Sequence, residues 1–143
     1  MGFLNRYSEP IFLVLRVVAG LIFAMHGAQK LFGAFGGQVM TAVPLMLAAG
    51  IIEFAGGLMI ALGLFGDFAA FIASGEMAVA YWKVHAGGDG GPLNPIANHG
   101  EAAVLYCFLF LFIAAHGAGI WSIDNSLRRR TIFTTGSAGV AQP

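Results

Sequence analysis

The chain has 143 residues, of which 58% are hydrophobic and only 10% are charged. Soluble domains carry about 25% charged residues, so this composition, with a mean hydropathy of +0.80, argues against a soluble domain and predicts an integral membrane protein. Basic and acidic residues are equal in number, which leaves no electrostatic basis for binding nucleic acid. The single cysteine, Cys107, excludes an internal disulfide and CxxC dithiol chemistry within one chain.

Four apolar segments follow one another along the chain. They lie at residues 10–32, 43–65, 68–84 and 101–121. A hydrocarbon layer about 30 Å thick takes about 20 helical residues to cross, and each segment is of this order. We therefore predict an all-α integral membrane fold, a four-transmembrane-helix antiparallel bundle over residues 1–127, followed by a basic and then disordered cytoplasmic tail at residues 128–143.

The connections between these segments differ in length. Residues 33–37 are rich in glycine and interrupt the first apolar run, and Gly66 with Asp67 predicts a tight turn between the second and third helices. The third connection, residues 85–100, is the longest, and its glycines and prolines cannot continue a helix. We expect this connection to be the most mobile part of the membrane domain.

The basic residues predict the orientation in the membrane. Arg6 precedes the first helix, and three arginines at positions 128–130 follow the fourth. Cytoplasmic segments are enriched in Lys and Arg, so both termini are predicted to be cytoplasmic. Lys30 and Lys83, at the opposite helix ends, favour the reverse orientation but are fewer. The predicted location is a bacterial inner (plasma) membrane, which the chain crosses several times.

Small residues mark faces of the first two helices. Gly20 and Gly27 lie seven residues apart on the first, and Gly50, Gly57 and Ala61 form a face of the second. In a membrane such residues let helix backbones approach closely, so these faces are predicted to lie inside the bundle.

Ionisable residues inside the apolar segments are few. A charge at the bilayer centre costs about 2.5–3.5 kcal/mol on insertion scales, so each one needs a partner, water or a neutral form. Depth, counted from the predicted helix ends, places Arg16 of the first helix level with Glu76 of the third, in the cytoplasmic half. These two residues are predicted to form a structural ion pair.

A second set of ionisable residues falls in the outer half or near the midplane. It comprises His26, Lys30, Glu53, Lys83 and Glu101. Mixed charges that nearly cancel, beside a mobile connection, suit the binding of a polar headgroup or the relay of protons, and intramembrane ionisable residues often serve function. We take these five as candidate ligand-binding or proton-relay residues; the alternative is that they only hold the helices in register. No residue is predicted to be catalytic.

The four histidines raise the question of a metal or haem site. His116 lies near the cytoplasmic end, far from His26, His85 and His99 at the outer end. The sequence has no HxxxH or HExxH spacing and no cysteine near these residues, so neither a metal site nor a covalent cofactor is predicted.

Several separated motifs resemble the DoxX family of small membrane proteins. In the first half the resemblance rests on Arg16, Gly20, His26-Gly27, Lys30-Leu31, Glu53, Gly56-Gly57 and Gly63. In the second half it rests on Asn98-His99-Gly100-Glu101, Leu105-Tyr106, Gly117-Ala118-Gly119, Trp121-Ser122 and Asp124. The similarity covers about residues 9–125, and His99 departs from the usual small or polar residue of its motif.

The resemblance implies a four-helix membrane protein of a family named after a subunit of a quinone-reactive oxidoreductase of sulfur metabolism. Other members are associated with quinone stress or with membrane-anchored redox complexes. We therefore expect a quinone-interacting subunit, with quinone as a non-covalent ligand and a soluble or membrane redox partner, because the sequence has no flavin, haem, iron–sulfur or nicotinamide motif to carry electrons. The alternative is a non-catalytic scaffold or a small-solute carrier with a polar core, the latter expected to be a homo-oligomer.

Overall fold

A computed structural model describes residues 2–129, and over this range the chain forms helices and turns but no strand. The first five α-helices are α1 (Ser8–Phe32), α2 (Pro44–Ile51), α3 (Gly57–Leu62), α4 (Gly66–Ala80) and α5 (Glu101–His116). A π-helical turn, Ile52–Gly56, joins α2 to α3, and a second, Tyr81–His85, continues α4. Short 3-10 turns lie at Asn5–Tyr7 and Ala34–Gly36. The all-α prediction is confirmed for the described residues.

Two helical segments are long and apolar enough to cross a membrane. They are Asn5–Phe32, with 28 residues, and Pro44–Leu62, with 19 residues. Helix α5 is also apolar but has only 16 residues. Residues 123–129 are helical, so the predicted start of the tail at 128 falls inside a helical segment, and residues 130–143 of that tail lie outside the described range.

The turn between α3 and α4 lies earlier than predicted. Gly63 and Phe65 both adopt left-handed backbone conformations, with φ of 66° and 46°, which end α3 and reverse the chain. Gly66 and Asp67 therefore form the first turn of α4 instead of the connection.

Helix α5 ends at His116, five residues before the predicted boundary at 121. Gly117 has a φ of 82°, which breaks the helix. The carbonyl oxygens of Ala118 and Trp121 then accept hydrogen bonds from Arg16, whose side chain comes from α1. The guanidinium group takes the place of the helical N–H donors that these carbonyls would otherwise need.

Helix α1 packs backbone to backbone against the segment formed by α2, the first π-helical turn and α3. A Cβ atom on Gly20 would lie 2.6 Å from the carbonyl oxygen of Gly57 and 2.7 Å from the amide nitrogen of Ala61. A Cβ on Gly27 would collide with the backbone of Phe54. The predicted interior position of these small residues is confirmed.

Gly20→Ala is expected to lower the free energy of unfolding by about 1–3 kcal/mol, because the added methyl group forces α1 away from α3. The measurement is denaturant unfolding of the purified protein in a mild detergent. Gly56→Ala is the matched control, since a Cβ at Gly56 meets no atom within 4 Å. Equal stability of the two variants would contradict the tight α1–α3 contact.

Aromatic side chains join α1 to α5. The Phe23 ring lies 4.7 Å from that of Phe110 and 5.8 Å from that of Tyr106, measured between ring centroids. At the other end of the interface Phe12 contacts His116, with centroids 4.1 Å apart. His116 is thus a packing histidine, and the two most fully buried aromatic rings, Phe23 and Phe110, belong to the core.

The connection before α5 has its own hydrogen-bond network. The Tyr81 hydroxyl donates to the carbonyl oxygen of Pro92 over 2.7 Å. The buried Asn98 amide donates to the Tyr81 hydroxyl and to the carbonyl of Gly91, and its side-chain oxygen accepts from the amide of Gly100. The mobility of this connection stays a prediction, but its middle, at Pro92, and its C-terminal part, at Asn98, are tied to Tyr81 of the second π-helical turn.

Candidate functional site

A cavity of about 710 Å³ lies among the helices at the end of the fold where α1 finishes. Residues of α1, α2, α4, α5 and both π-helical turns line it, and most of the wall is apolar. Its ionisable side chains are His26, Lys30, Glu53, Glu76, Lys83, His85 and Tyr106. Small-molecule sites have volumes of about 300–1,000 Å³ and combine an apolar wall with a few converging polar groups. This cavity has both properties.

Local helix geometry aims these side chains into one space. His26 and Lys30 are four residues apart on α1 and so share a face. Glu53 lies in the first π-helical turn, and Lys83 in the second. Such turns are rare and occur frequently at functional sites, because the extra residue rotates the preceding side chains relative to the rest of the helix.

The best-defined contact in the cavity is an ion pair between α1 and the first π-helical turn. Lys30 Nζ donates to Glu53 Oε1, with side-chain exposures of 26% and 3%. It is the only ion pair within residues 2–129. Glu53 Oε2 is buried and has no hydrogen-bond partner in that range. One oxygen of this carboxylate therefore holds the lysine, and the other is buried without a partner in the described range.

Glu76 faces the same space from α4. Its Oε2 atom is buried and also lacks a hydrogen-bond partner within residues 2–129. The carboxylate interacts electrostatically with both Glu53 and Lys30. Two carboxylates and the ammonium group of Lys30 thus form one coupled cluster.

The predicted ion pair between Arg16 and Glu76 is not formed. Helix α4 starts at Gly66, two residues before the predicted boundary, which moves Glu76 about 3 Å further into the cavity end of the fold. The Arg16 side chain instead extends to the opposite end. Counting residues from the predicted helix ends placed Arg16 and Glu76 at the same depth, but in the structure their side chains lie apart.

Arg16 belongs to a group of contacts that we call the clasp, formed by Arg16, Ala61, Ala118, Trp121 and Asp124. The guanidinium group is 1% exposed and donates to the carbonyl oxygens of Ala118, Trp121 and Ala61. The Asp124 carboxylate accepts hydrogen bonds from the amides of residues 65 and 66, over 2.9 and 3.1 Å. The clasp therefore ties α1, the turn before α4 and the segment after α5 together.

The DoxX family model matches residues 11–86 of the chain. This chain belongs to the DoxX family. The matched segment contains six of the ionisable cavity residues, from His26 to His85, whereas Tyr106 and the resemblance around residues 98–124 lie beyond it. Because DoxX proteins are membrane-associated, the two long apolar segments of this member are consistent with a membrane protein.

A relative from Haemophilus influenzae, described only as an uncharacterized protein, is 40% identical over 134 residues. The match covers 91% of this DoxX chain and 100% of the relative. No solved structure matches the chain. These similarities establish the family and leave the ligand to be inferred from the cavity.

The structure brings together four of the five residues predicted for the outer set: His26, Lys30, Glu53 and Lys83. The fifth, Glu101, is exposed at the first residue of α5 and does not line the cavity. Their proposed roles in ligand binding or proton relay stay predictions. Residues 2–129 contain no group of three or more His, Cys, Asp or Glu side chains arranged to hold a metal ion.

Sequence reasoning missed Glu76 as a cavity residue. The sequence did indicate it, because Glu76 and Lys83 are seven residues apart and therefore lie on one helix face. Their side chains should then point into the same space. His85 and Tyr106, which also line the cavity, had no comparable signal.

Proposed function

We propose that this DoxX protein is a four-span membrane subunit that binds a quinone in the cavity between its helices and exchanges protons with it. The observation that carries the proposal is the Lys30–Glu53–Glu76 cluster in the wall of a mostly apolar cavity. An amphipathic ring would place its apolar part against the wall and its oxygen atoms at this cluster.

The lengths of the helices support this membrane arrangement. The first two spans are the long apolar segments Asn5–Phe32 and Pro44–Leu62. Helix α4 with the second π-helical turn reaches the length of about 20 residues that a span needs, and α5 is the fourth span. Exposed side chains such as Val14, Leu105 and Phe108 would face lipid. Four spans put both termini on one side, the cytoplasmic side of a bacterial inner membrane by the distribution of arginines.

The polar groups suit the chemistry of a quinone. A quinone carbonyl accepts hydrogen bonds, which lysine and histidine side chains donate, and a quinone that is reduced or oxidised must gain or lose protons. The Glu53 and Glu76 side chains, which line the cavity, would exchange those protons with the ligand. Binding and proton exchange are assigned to this chain, and electron transfer is assigned to a redox partner subunit in the membrane or bound to it.

Purification with native lipid, followed by quantification of quinone per chain, tests the proposal. The wild type should retain quinone well above its proportion in the surrounding lipid, and Glu53→Gln should lose it, because the neutral amide no longer forms the ion pair that positions the ammonium group of Lys30 for the quinone carbonyl. Glu101→Gln is the matched control, since that carboxylate lies outside the cavity. Thermal unfolding of each sample shows whether the variants are folded.

Quinone at the background level in the folded wild type would contradict the proposal. Equal retention by Glu53→Gln and Glu101→Gln would place the bound quinone elsewhere. The first outcome favours a scaffold or a small-solute carrier, in which the cluster serves assembly or permeation.

A further inference from the structure

A groove of about 620 Å³ runs along the outside of the bundle between α1 and α5. Its α1 side lies between Ile11 and Ile22, and its α5 side between Ala102 and Leu109. Apart from one tyrosine, every side chain in its wall is aliphatic. The groove extends about 16 Å along α1, at about 1.5 Å per residue. It therefore has the length and the lining to hold a hydrocarbon chain.

The groove and the candidate quinone cavity share part of their walls. Ala102 and Tyr106, which lie one turn apart on one face of α5, line both spaces. On α1 the two spaces follow one another along one face, because Ile22 lines the groove and His26, four residues later, lines the cavity. The cavity and the groove therefore meet where α1 lies beside α5.

The contact between α1 and α5 is made by side chains. The backbone of α5 packs mainly against α4, whereas that of α1 packs against α2, α3 and the first π-helical turn. Between α1 and α5 the contacts are those of rings, such as Phe23 with Tyr106 and Phe110. Such side chains can adopt other rotamers without a movement of either backbone. A flexible chain can therefore pass between these two helices.

We propose that the ligand of the cavity is a membrane quinone with a long apolar chain, and that this chain leaves the cavity between α1 and α5 and lies in the groove. The ring and its oxygen atoms stay beside the polar cluster, and the chain follows the aliphatic side chains of the groove. Leu105 in the groove wall is 69% exposed, so the groove opens toward the lipid from which such a ligand comes. The inference rests on the proposed quinone site and adds the class of quinone and the path of its chain.

Photo-cross-linking locates the chain. The probe is decylubiquinone with a diazirine at the end of its decyl chain, added to the protein in lipid nanodiscs and irradiated with and without excess decylubiquinone. Labelling that the excess suppresses should fall on groove residues such as Val14, Val18 and Leu109, identified by peptide mass spectrometry. Suppressed labelling on α2 or α4 instead would overturn the inference and leave the quinone site standing. Groove labelling that the excess does not suppress would also overturn it and would assign the groove to membrane lipid.

Ile22→Trp fills the groove and gives a second test. It should weaken the binding of decylubiquinone at least about fivefold, the effect expected of overpacking. Binding of the same quinone ring without a chain should not change, because Ile22 lines the groove and not the cavity. Leu21→Trp is the matched control, since its neighbouring side chain is similarly exposed, 46% against 43%, and lines neither space. Val18→Trp repeats the test at another position of the groove.

The outcomes separate this inference from the function on which it rests. Dissociation constants come from the binding of tritiated compounds to the nanodiscs, and thermal unfolding shows which variants are folded. If the folded groove variants weaken the binding of both compounds equally, or of neither, the path of the chain is wrong and the quinone site stands. Failure of both compounds to bind the folded wild type would refute the quinone site itself.

Discussion

Arg16→Met is expected to lower the free energy of unfolding by about 3–5 kcal/mol, comparable with removing one partner of a buried ionic contact. The guanidinium group is 1% exposed and donates to three carbonyl oxygens, which come from Ala61, Ala118 and Trp121. Methionine fills part of the space but leaves these acceptors unpaired. Unfolding in a detergent titration, followed by tryptophan fluorescence, gives the free energy.

Two further variants qualify the result for Arg16. Arg16→Lys should fall between wild type and Arg16→Met, because an ammonium group cannot span the three acceptors as a planar guanidinium does. Arg6→Met removes an exposed arginine and should change stability little. A stable Arg16→Met protein would mean that the other contacts of the segment after α5, those of Asp124 among them, are enough to hold it.

Lys30→Met is expected to lower the free energy of unfolding by about 3–5 kcal/mol, because it leaves the carboxylate of Glu53 buried and unpaired. The double variant Lys30→Met with Glu53→Leu should recover most of this loss, since an apolar pair of similar volume suits an apolar wall. Quinone retention should be lost in both. The measurements are the unfolding free energy and the quinone content of the same preparations.

The two readouts of the Lys30 series distinguish structure from function. A double variant that is stable and retains quinone would show that the pair only holds α1 against the first π-helical turn. A double variant that remains as unstable as Lys30→Met would show that the pair contributes net stability, contrary to the usual behaviour of buried ion pairs.

Much of the fold follows from the sequence. Long apolar stretches identify the helices, and Gly20 and Gly27 identify the close contacts of α1 with α3 and with the first π-helical turn, because small residues are needed wherever two backbones touch. The course of the chain after α5 did not follow. It involves Arg16, which lies about a hundred residues earlier and binds backbone carbonyls that every residue type carries.

The site was predictable in its residue types but less so in its pairing. Lys30 and Glu53 were expected at one end of the fold, and the structure joins them. Glu76 was expected at the other end, because its depth was counted from a helix start two residues too late. Glu101 was expected inside because it begins an apolar helix, yet a residue at a helix end can turn outward to solvent.

The direction in which the Glu53 side chain points depends on the number of residues in the first π-helical turn. Five residues, Ile52–Gly56, occupy a stretch that an α-helix would complete with fewer. Deletion of one residue there would restore α-helical register and rotate Glu53 by about 100° relative to the face that carries Gly57. Gly57 would still meet Gly20, while the carboxylate would leave the cavity. Family members that differ by a single-residue insertion or deletion at this point can therefore share one scaffold and differ in whether they possess the site.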